Sequence, residues 1–143
     1  MSSSLFLRIL FGVGIALALS ASAVRAQSPS AHLAMCVGPD EQMCDFSQKQ
    51  FKAEYPKAYR RDYQAQRNIA FCLSQGCDRA VITNPILGCA WRMVIVGSGF
   101  SMVDTTDTGN LRVECGRLDA VERVAASAQA QVLMKKIYNH ALP

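Results

Sequence analysis

Apolar residues recur at helical intervals through most of this chain, separated by short polar stretches, and the pattern predicts an all-α protein. Asp45, with Gln48 three residues on, marks the start of a first helix near Phe46. In it Phe46, Phe51 and Tyr55 supply apolar surface while Lys49, Lys52 and Glu54 face water. Pro56 lacks an N–H to donate and is expected to break or kink this helix. Over 57–76, Lys57, Ala58, Asp62, Ala65, Gln66, Asn68, Ile69, Ala70 and Leu73 put the small and apolar members on one face, and Gly76 closes the element. The run 85–96 holds one charge, Arg92, and centres on Cys89, Ala90 and Trp91. Apolar on every side, it has no face to give to water and must be buried nearly all round. The two runs predict an antiparallel helix pair joined by a loop. After Gly97, Ser98 and Gly99, the polar, turn-rich stretch 101–110 reads as a loop. Asp119, paired with Glu122, opens a last helix that runs to about Tyr138. Its expected inward stripe is Val121, Val124, Ala125, Ala128 and Val132, extended with slight rotation by Leu133 and Ile137. Lys135 and Lys136 suit the negative end of the helix dipole. This helix is expected to cap the open flank of the pair.

Lys57, Ala58, Asp62, Ala65, Gln66, Asn68, Ile69, Gly76 and Trp91 occupy the places of a known pattern, K-A-x-x-x-G-D-x-x-A-Q-x-N-L-G-x-x-Y-x-x-G followed by a loop and A-x-x-W. At these positions the chain resembles the Sel1-like repeats, relatives of the tetratricopeptide repeats. Arg61, Ala70, Leu73 and Gly88 stand where the pattern has Gly, Gly, Tyr and Ala. The resemblance covers one unit, whereas repeat folds normally stack three or more to bury a core. It implies a helical hairpin that works as a scaffold or regulator through protein–protein contact.

The N-terminus changes the setting. Arg8, the apolar run 9–19 and the small-residue site Val24, Arg25, Ala26 read as a secretory signal peptide, 1–26, cleaved after Ala26 or, at an Ala-Ser-Ala site, after Ala23. The expected organisation is then a flexible leader and Cys loop over 27–44 and a Sel1-like helical domain over 45–143, with a periplasmic or secreted location and no stable membrane span after cleavage. Leu33-Ala34-Met35-Cys36 stands too far beyond the apolar run, with the wrong residue before the cysteine, to be a lipidation site. All six cysteines, Cys36, Cys44, Cys72, Cys77, Cys89 and Cys115, follow the signal peptide, and in an oxidising compartment three disulfides are expected. Cys36 and Cys44 flank a Gly38-Pro39 turn and can close a local loop. Similar distances from the middle of the inter-helix loop favour Cys72 with Cys89, which leaves Cys77 with Cys115. An exchange of partners among these four is the competing arrangement. Such bonds would stand in for the missing neighbouring repeats, at about 2–4 kcal/mol each.

Catalytic and cofactor chemistry finds little foothold. There is no C-x-x-C, no paired metal spacing among the cysteines, no H-E-x-x-H and no Gly-rich phosphate loop after a strand, so no cofactor or metal is expected. The histidines, His32 in the leader and His140 near the end, are poorly placed to serve a nucleophile. Asp107-Thr108-Gly109 matches an aspartic-protease triplet, but without the β-rich setting that would hold two copies face to face. Asp104, Asp107 and Asn110 lack EF-hand spacing for calcium. The formal charge is +4, of which Arg8 and Arg25 in the leader supply two, and the rest is mixed along the chain, giving no footprint for nucleic acid. The expectation is a non-catalytic, disulfide-braced interaction module of the cell envelope that contacts a protein partner. Its candidate contact surface is Tyr55, Lys57, Tyr59, Arg60, Arg61 and Tyr63, with the loop 78–84; the competing reading packs these tyrosines against the core. The alternatives are a small envelope hydrolase using Asp104 and Asp107, and a structural envelope protein with no specific partner.

Overall fold

The computed structural model describes residues 28–143, so the expected signal peptide lies outside the described residues. A short 3-10 turn, Pro29–His32, precedes five helices: α1 Glu41–Tyr59, α2 Tyr63–Gln75, α3 Pro85–Gly97, α4 Thr105–Gly116 and α5 Ala120–Tyr138. Among the described residues there is no strand beyond an isolated bridge between Leu33 and Val81, and no helix is long and apolar enough to cross a membrane. The protein is a small all-α array braced by three disulfides, Cys36–Cys44, Cys72–Cys77 and Cys89–Cys115.

The helix pair forms where local signals require it. The Asp62 side chain accepts from Ala65 N–H at 2.8 Å and caps α2, and Gly76, at φ 88°, ends it in the left-handed region that only glycine enters freely. Asn84 caps α3 by accepting from Leu87 N–H at 3.0 Å, with Pro85 in the first turn. The two helices run antiparallel, since Asn84 N–H bonds Leu73 O at one end while Tyr63 OH bonds Met102 O, just beyond α3, at the other. Helices α1, α2, α3 and α5 pack in that order, with α4 on a separate flank of α3. Trp91, Phe51, Ile69, Leu73, Ile95 and Met134 are fully buried between them. At Gly88 α3 lies close against α2: a β-carbon there would stand 2.3 Å from Ser74 Oγ and 3.4 Å from Ala70 O. Gly88→Val is expected to lower stability by about 1–3 kcal/mol in urea titration.

Four expectations are corrected. First, α1 begins at Glu41, after a left-handed Gly38, and not near Phe46; Asp45 is inside it. It also runs through Pro56 to Tyr59, so Lys57 and Ala58 belong to α1, and the break falls at Arg61, φ 70°. Pro56 is tolerated because it and Lys52, whose carbonyl loses a partner, are both exposed, and water can serve that oxygen. Second, the expected loop over 101–110 contains the start of α4. The Asp104 side chain accepts from Thr106 and Asp107 N–H, and the Asp107 side chain accepts from Asp104 N–H, a reciprocal capping box. Third, the cysteines after Cys44 pair with their sequence neighbours, not as Cys72–Cys89 and Cys77–Cys115, because the turn after Gly76 folds Cys77 back onto Cys72 and Cys89 faces α4.

The fourth correction concerns α5. Its buried residues are Ala126, Ala130, Leu133, Met134 and Ile137, so Leu133 and Ile137 point inward as expected, while Val121, Val124, Ala128 and Val132 face solvent. Both sides of this helix are apolar, and periodicity alone chose the wrong one.

The segment before α1 is also tied down more firmly than a leader would be. Ala34 N–H bonds Ala80 O at 3.0 Å, Ile82 N–H bonds His32 O at 2.8 Å, and Gln48 Nε2 donates to both Ala34 O and Ala80 O. His32 is buried against Phe51 with Nε2 3.2 Å from Tyr55 OH, and burial lowers its pKa below the usual 6.5. The unfolded chain therefore takes up this proton at a higher pH than the folded one, so the stability it provides is full above 6.5 and is lost as pH falls below that value. The melting temperature is expected to drop from pH 7.5 to pH 5, and His32→Phe to flatten that part of the profile.

Candidate interaction site

A recess lies between α1 and α2. Ser47, Gln50, Phe51, Ala53 and Glu54 of α1 face Asn68, Ile69, Phe71, Cys72 and Gln75 of α2, with Cys77 and Asp78 closing one end, around a volume of about 550 Å³. The floor is apolar through Phe51 and Ile69, both buried in the core. The rim is Phe71, 51% exposed, with the amides of Gln50, Asn68 and Gln75. Phe46, one turn before Gln50 on α1, continues this rim with a second exposed ring.

The closed end is built on unusual backbone. Gly76, Cys77, Asp78 and Arg79 have φ of 88°, 41°, 55° and 61°, four successive left-handed residues of which three carry side chains. Such conformations persist only where their surroundings over-determine them. Here the Cys72–Cys77 bond, Val81 N–H to Gly76 O at 2.9 Å, Ser47 Oγ to Asp78 Oδ2 at 2.6 Å and an Arg79–Asp40 ion pair hold the turn. The result is a rigid wall beside exposed apolar surface.

The expected contact surface is arranged otherwise. Tyr55 is buried, its OH between His32 Nε2 and the Tyr59 OH at 3.5 Å, and burial raises its pKa. Tyr59 stands edge-on to Trp91, ring centroids 5.3 Å apart, beneath Lys136 Nζ. Tyr63 is buried and donates to Asp107, and burial again raises its pKa. Arg61 donates from Nε to Ile137 O at 2.9 Å and lies over the Tyr138 ring. Lys57 pairs with Glu54 at 3.0 Å across an exposed turn, and Arg60 is exposed. The tyrosines and Arg61 thus join α1, α2, α3 and α5 to one another, while Lys57, Arg60 and Arg61 are exposed. In the loop 78–84, Ala80 and Val81 are buried and Ile82 is exposed.

Asp104 and Asp107 are brought together by the capping box. Backbone N–H donation from Asp107 holds the Asp104 carboxyl below the usual range. Asp107 is fully buried, accepts from Tyr63 OH, and has Arg67 Nε 3.2 Å from its other oxygen. Oδ2 thus fastens α4 to α2, while Oδ1 is buried beside the Arg67 charge without a hydrogen bond. A second buried ion pair, Arg92 with Glu114, links α3 to α4, and Ser74 OH donates to the same carboxylate at 2.7 Å. Among the described residues no group of three or more His, Cys, Asp or Glu side chains is placed to hold a metal.

Sequence reasoning did not find the groove. Its one usable signal was Phe71, an aromatic residue off the buried stripe of α2 and beside a cysteine. The chain matches no protein-family model, no curated protein and no solved structure.

Proposed function

We propose that this protein is a non-catalytic interaction module of the cell envelope, periplasmic or secreted, that receives an apolar segment of a partner protein in the groove between α1 and α2. The observation that carries this reading is the exposed Phe71 ring beside a recess of about 550 Å³ whose floor is core and whose end is disulfide-fixed. Large aromatic rings at a preformed recess are the groups on which binding energy concentrates, and a rigid site loses little freedom when it is filled. Three disulfides suit an oxidising compartment. The resemblance of 57–91 to a Sel1-like unit supports the same class of function.

A photo-reactive residue in place of Gln75, at the groove, is expected to give discrete adducts in envelope extracts, and the same group at Arg112, on exposed α4, is expected to give none of them. Phe71→Ala should reduce adduct yield from the Gln75 position about tenfold or more without changing the melting temperature. Adducts that persist unchanged in Phe71→Ala would remove the groove from the account. A lack of adducts at both positions would favour the structural envelope protein.

A further inference from the structure

We infer that α5 is a self-association surface through which two copies of this protein pair antiparallel about a two-fold axis at Ala128. Helix α5 spans 19 residues and buries Ala126, Ala130, Leu133, Met134 and Ile137. Its opposite side carries Val121, 78% exposed, Val124, 71%, and Val132, 50%, with Ala128 between them. At 100° per residue the centres of these two faces lie about 180° apart, so the contacts that bury the inner face leave the outer one open. From 124 to 134 no residue on any side is charged, although the outer side faces water for three turns. An exposed helix with no further partner is ordinarily polar on its outer face.

The spacing says what covers it. Val124 and Val132 stand four residues before and after Ala128, and Val121 and Lys135 seven before and after. A two-fold axis through Ala128 therefore sets Val124 of one copy against Val132 of the other, Ala128 against Ala128, and Val121 against the aliphatic stem of Lys135. The small residue sits at the crossing, where two backbones must come close, and the larger ones flank it. Antiparallel pairing brings Glu122 of each copy to the same end as Lys135 and Lys136 of the other and opposes the helix dipoles; a parallel pair would stack the lysines. One face of a helix about 28 Å long buries less than the about 800 Å² per partner of a standard interface. The dimer is accordingly weak and concentration-dependent.

Sedimentation equilibrium of the purified protein from 5 μM to 1 mM tests this. The mass is expected to rise from monomer towards dimer. Val124→Glu should hold the protein monomeric throughout, with an unchanged melting temperature because the site is exposed. Adding Val132→Lys to Val124→Glu should restore dimerisation, since the two positions face each other only across the antiparallel pair. A wild-type protein that stays monomeric at 1 mM overturns the inference. So does a Val124→Glu variant that dimerises like wild type, or a double variant that remains monomeric. Binding of monomeric wild type to phosphatidylglycerol vesicles, lost in Val124→Glu, would assign the face to lipid and equally overturn it.

Discussion

Arg92→Leu is expected to lower the folding free energy by about 3–5 kcal/mol. Arg92 and Glu114 are both buried, with Nε and Nη2 donating to the two carboxylate oxygens at 3.0 and 2.9 Å. Removing the guanidinium leaves a carboxylate inside the fold with only Ser74 Oγ donating to it. The loss is therefore the penalty of an uncompensated buried charge, not the net worth of the pair. Arg92→Met combined with Glu114→Leu is expected to recover most of it, because apolar groups of similar volume need no partners. Urea denaturation of the wild type, the single and the double variant, with all disulfides intact, checks both statements. Equal losses in single and double variants would mean that the pair itself, and not the orphaned charge, sets the energy.

Paired cysteine replacement is expected to rank the three disulfides by the length of chain each one closes. The sequence separations are 26 for Cys89–Cys115, 8 for Cys36–Cys44 and 5 for Cys72–Cys77. Loop-closure entropy then gives about 3.5, 2.5 and 2 kcal/mol respectively. Packing widens the gap at the top of this order. Cys89 is fully buried and Cys115 nearly so, in a small cluster with Leu118 and Ala126, so alanine at both positions also leaves a cavity. The Cys72–Cys77 pair behaves differently. Its removal costs the fold least but frees the left-handed turn 76–79 that closes the groove. Cys72→Ala with Cys77→Ala is thus expected to change groove cross-linking at Gln75 more than it changes stability, and Cys89→Ala with Cys115→Ala to do the reverse. Melting temperature and adduct yield measured on the same variants separate the two.

What could be read from the sequence was whatever is decided within a few residues. Gly76 and Asp119 are capping signals, and each ends or starts a helix where the pattern placed it, whereas Asp62, read as the interior of a helix over 57–76, is in fact the N-cap of α2. The burial of most of 85–96 followed from its lack of a polar face: Gly88 to Arg92, Val94 and Ile95 are inside, while Pro85 is exposed and Ile86, Leu87, Met93 and Val96 are half-buried. Helix α4 was illegible because few of its core contacts are apolar: only Leu111 and Cys115 pack in a hydrophobic cluster. It is fastened by Asp107, Glu114 and Cys115, residue types that read as surface or loop until their partners Tyr63, Arg67, Arg92 and Cys89 are known from other helices. The tyrosine and basic segment suffered the same ambiguity: a Tyr beside an Arg looks like a recognition surface or a core edge depending on what lies across from it, and here His32, Trp91 and Tyr138 do. The groove needed two helices in register, which no single stretch records.

The six cysteines pair off consecutively along the chain, first with second, third with fourth and fifth with sixth: Cys36 with Cys44, Cys72 with Cys77 and Cys89 with Cys115. A polypeptide that emerges N-terminus first therefore presents every thiol together with its native mate before any later thiol appears. An oxidase that simply joins cysteines as they arrive makes the correct set, and shuffling by an isomerase is unnecessary. The covalent pattern of the finished molecule is thus already ordered in time by the direction of synthesis.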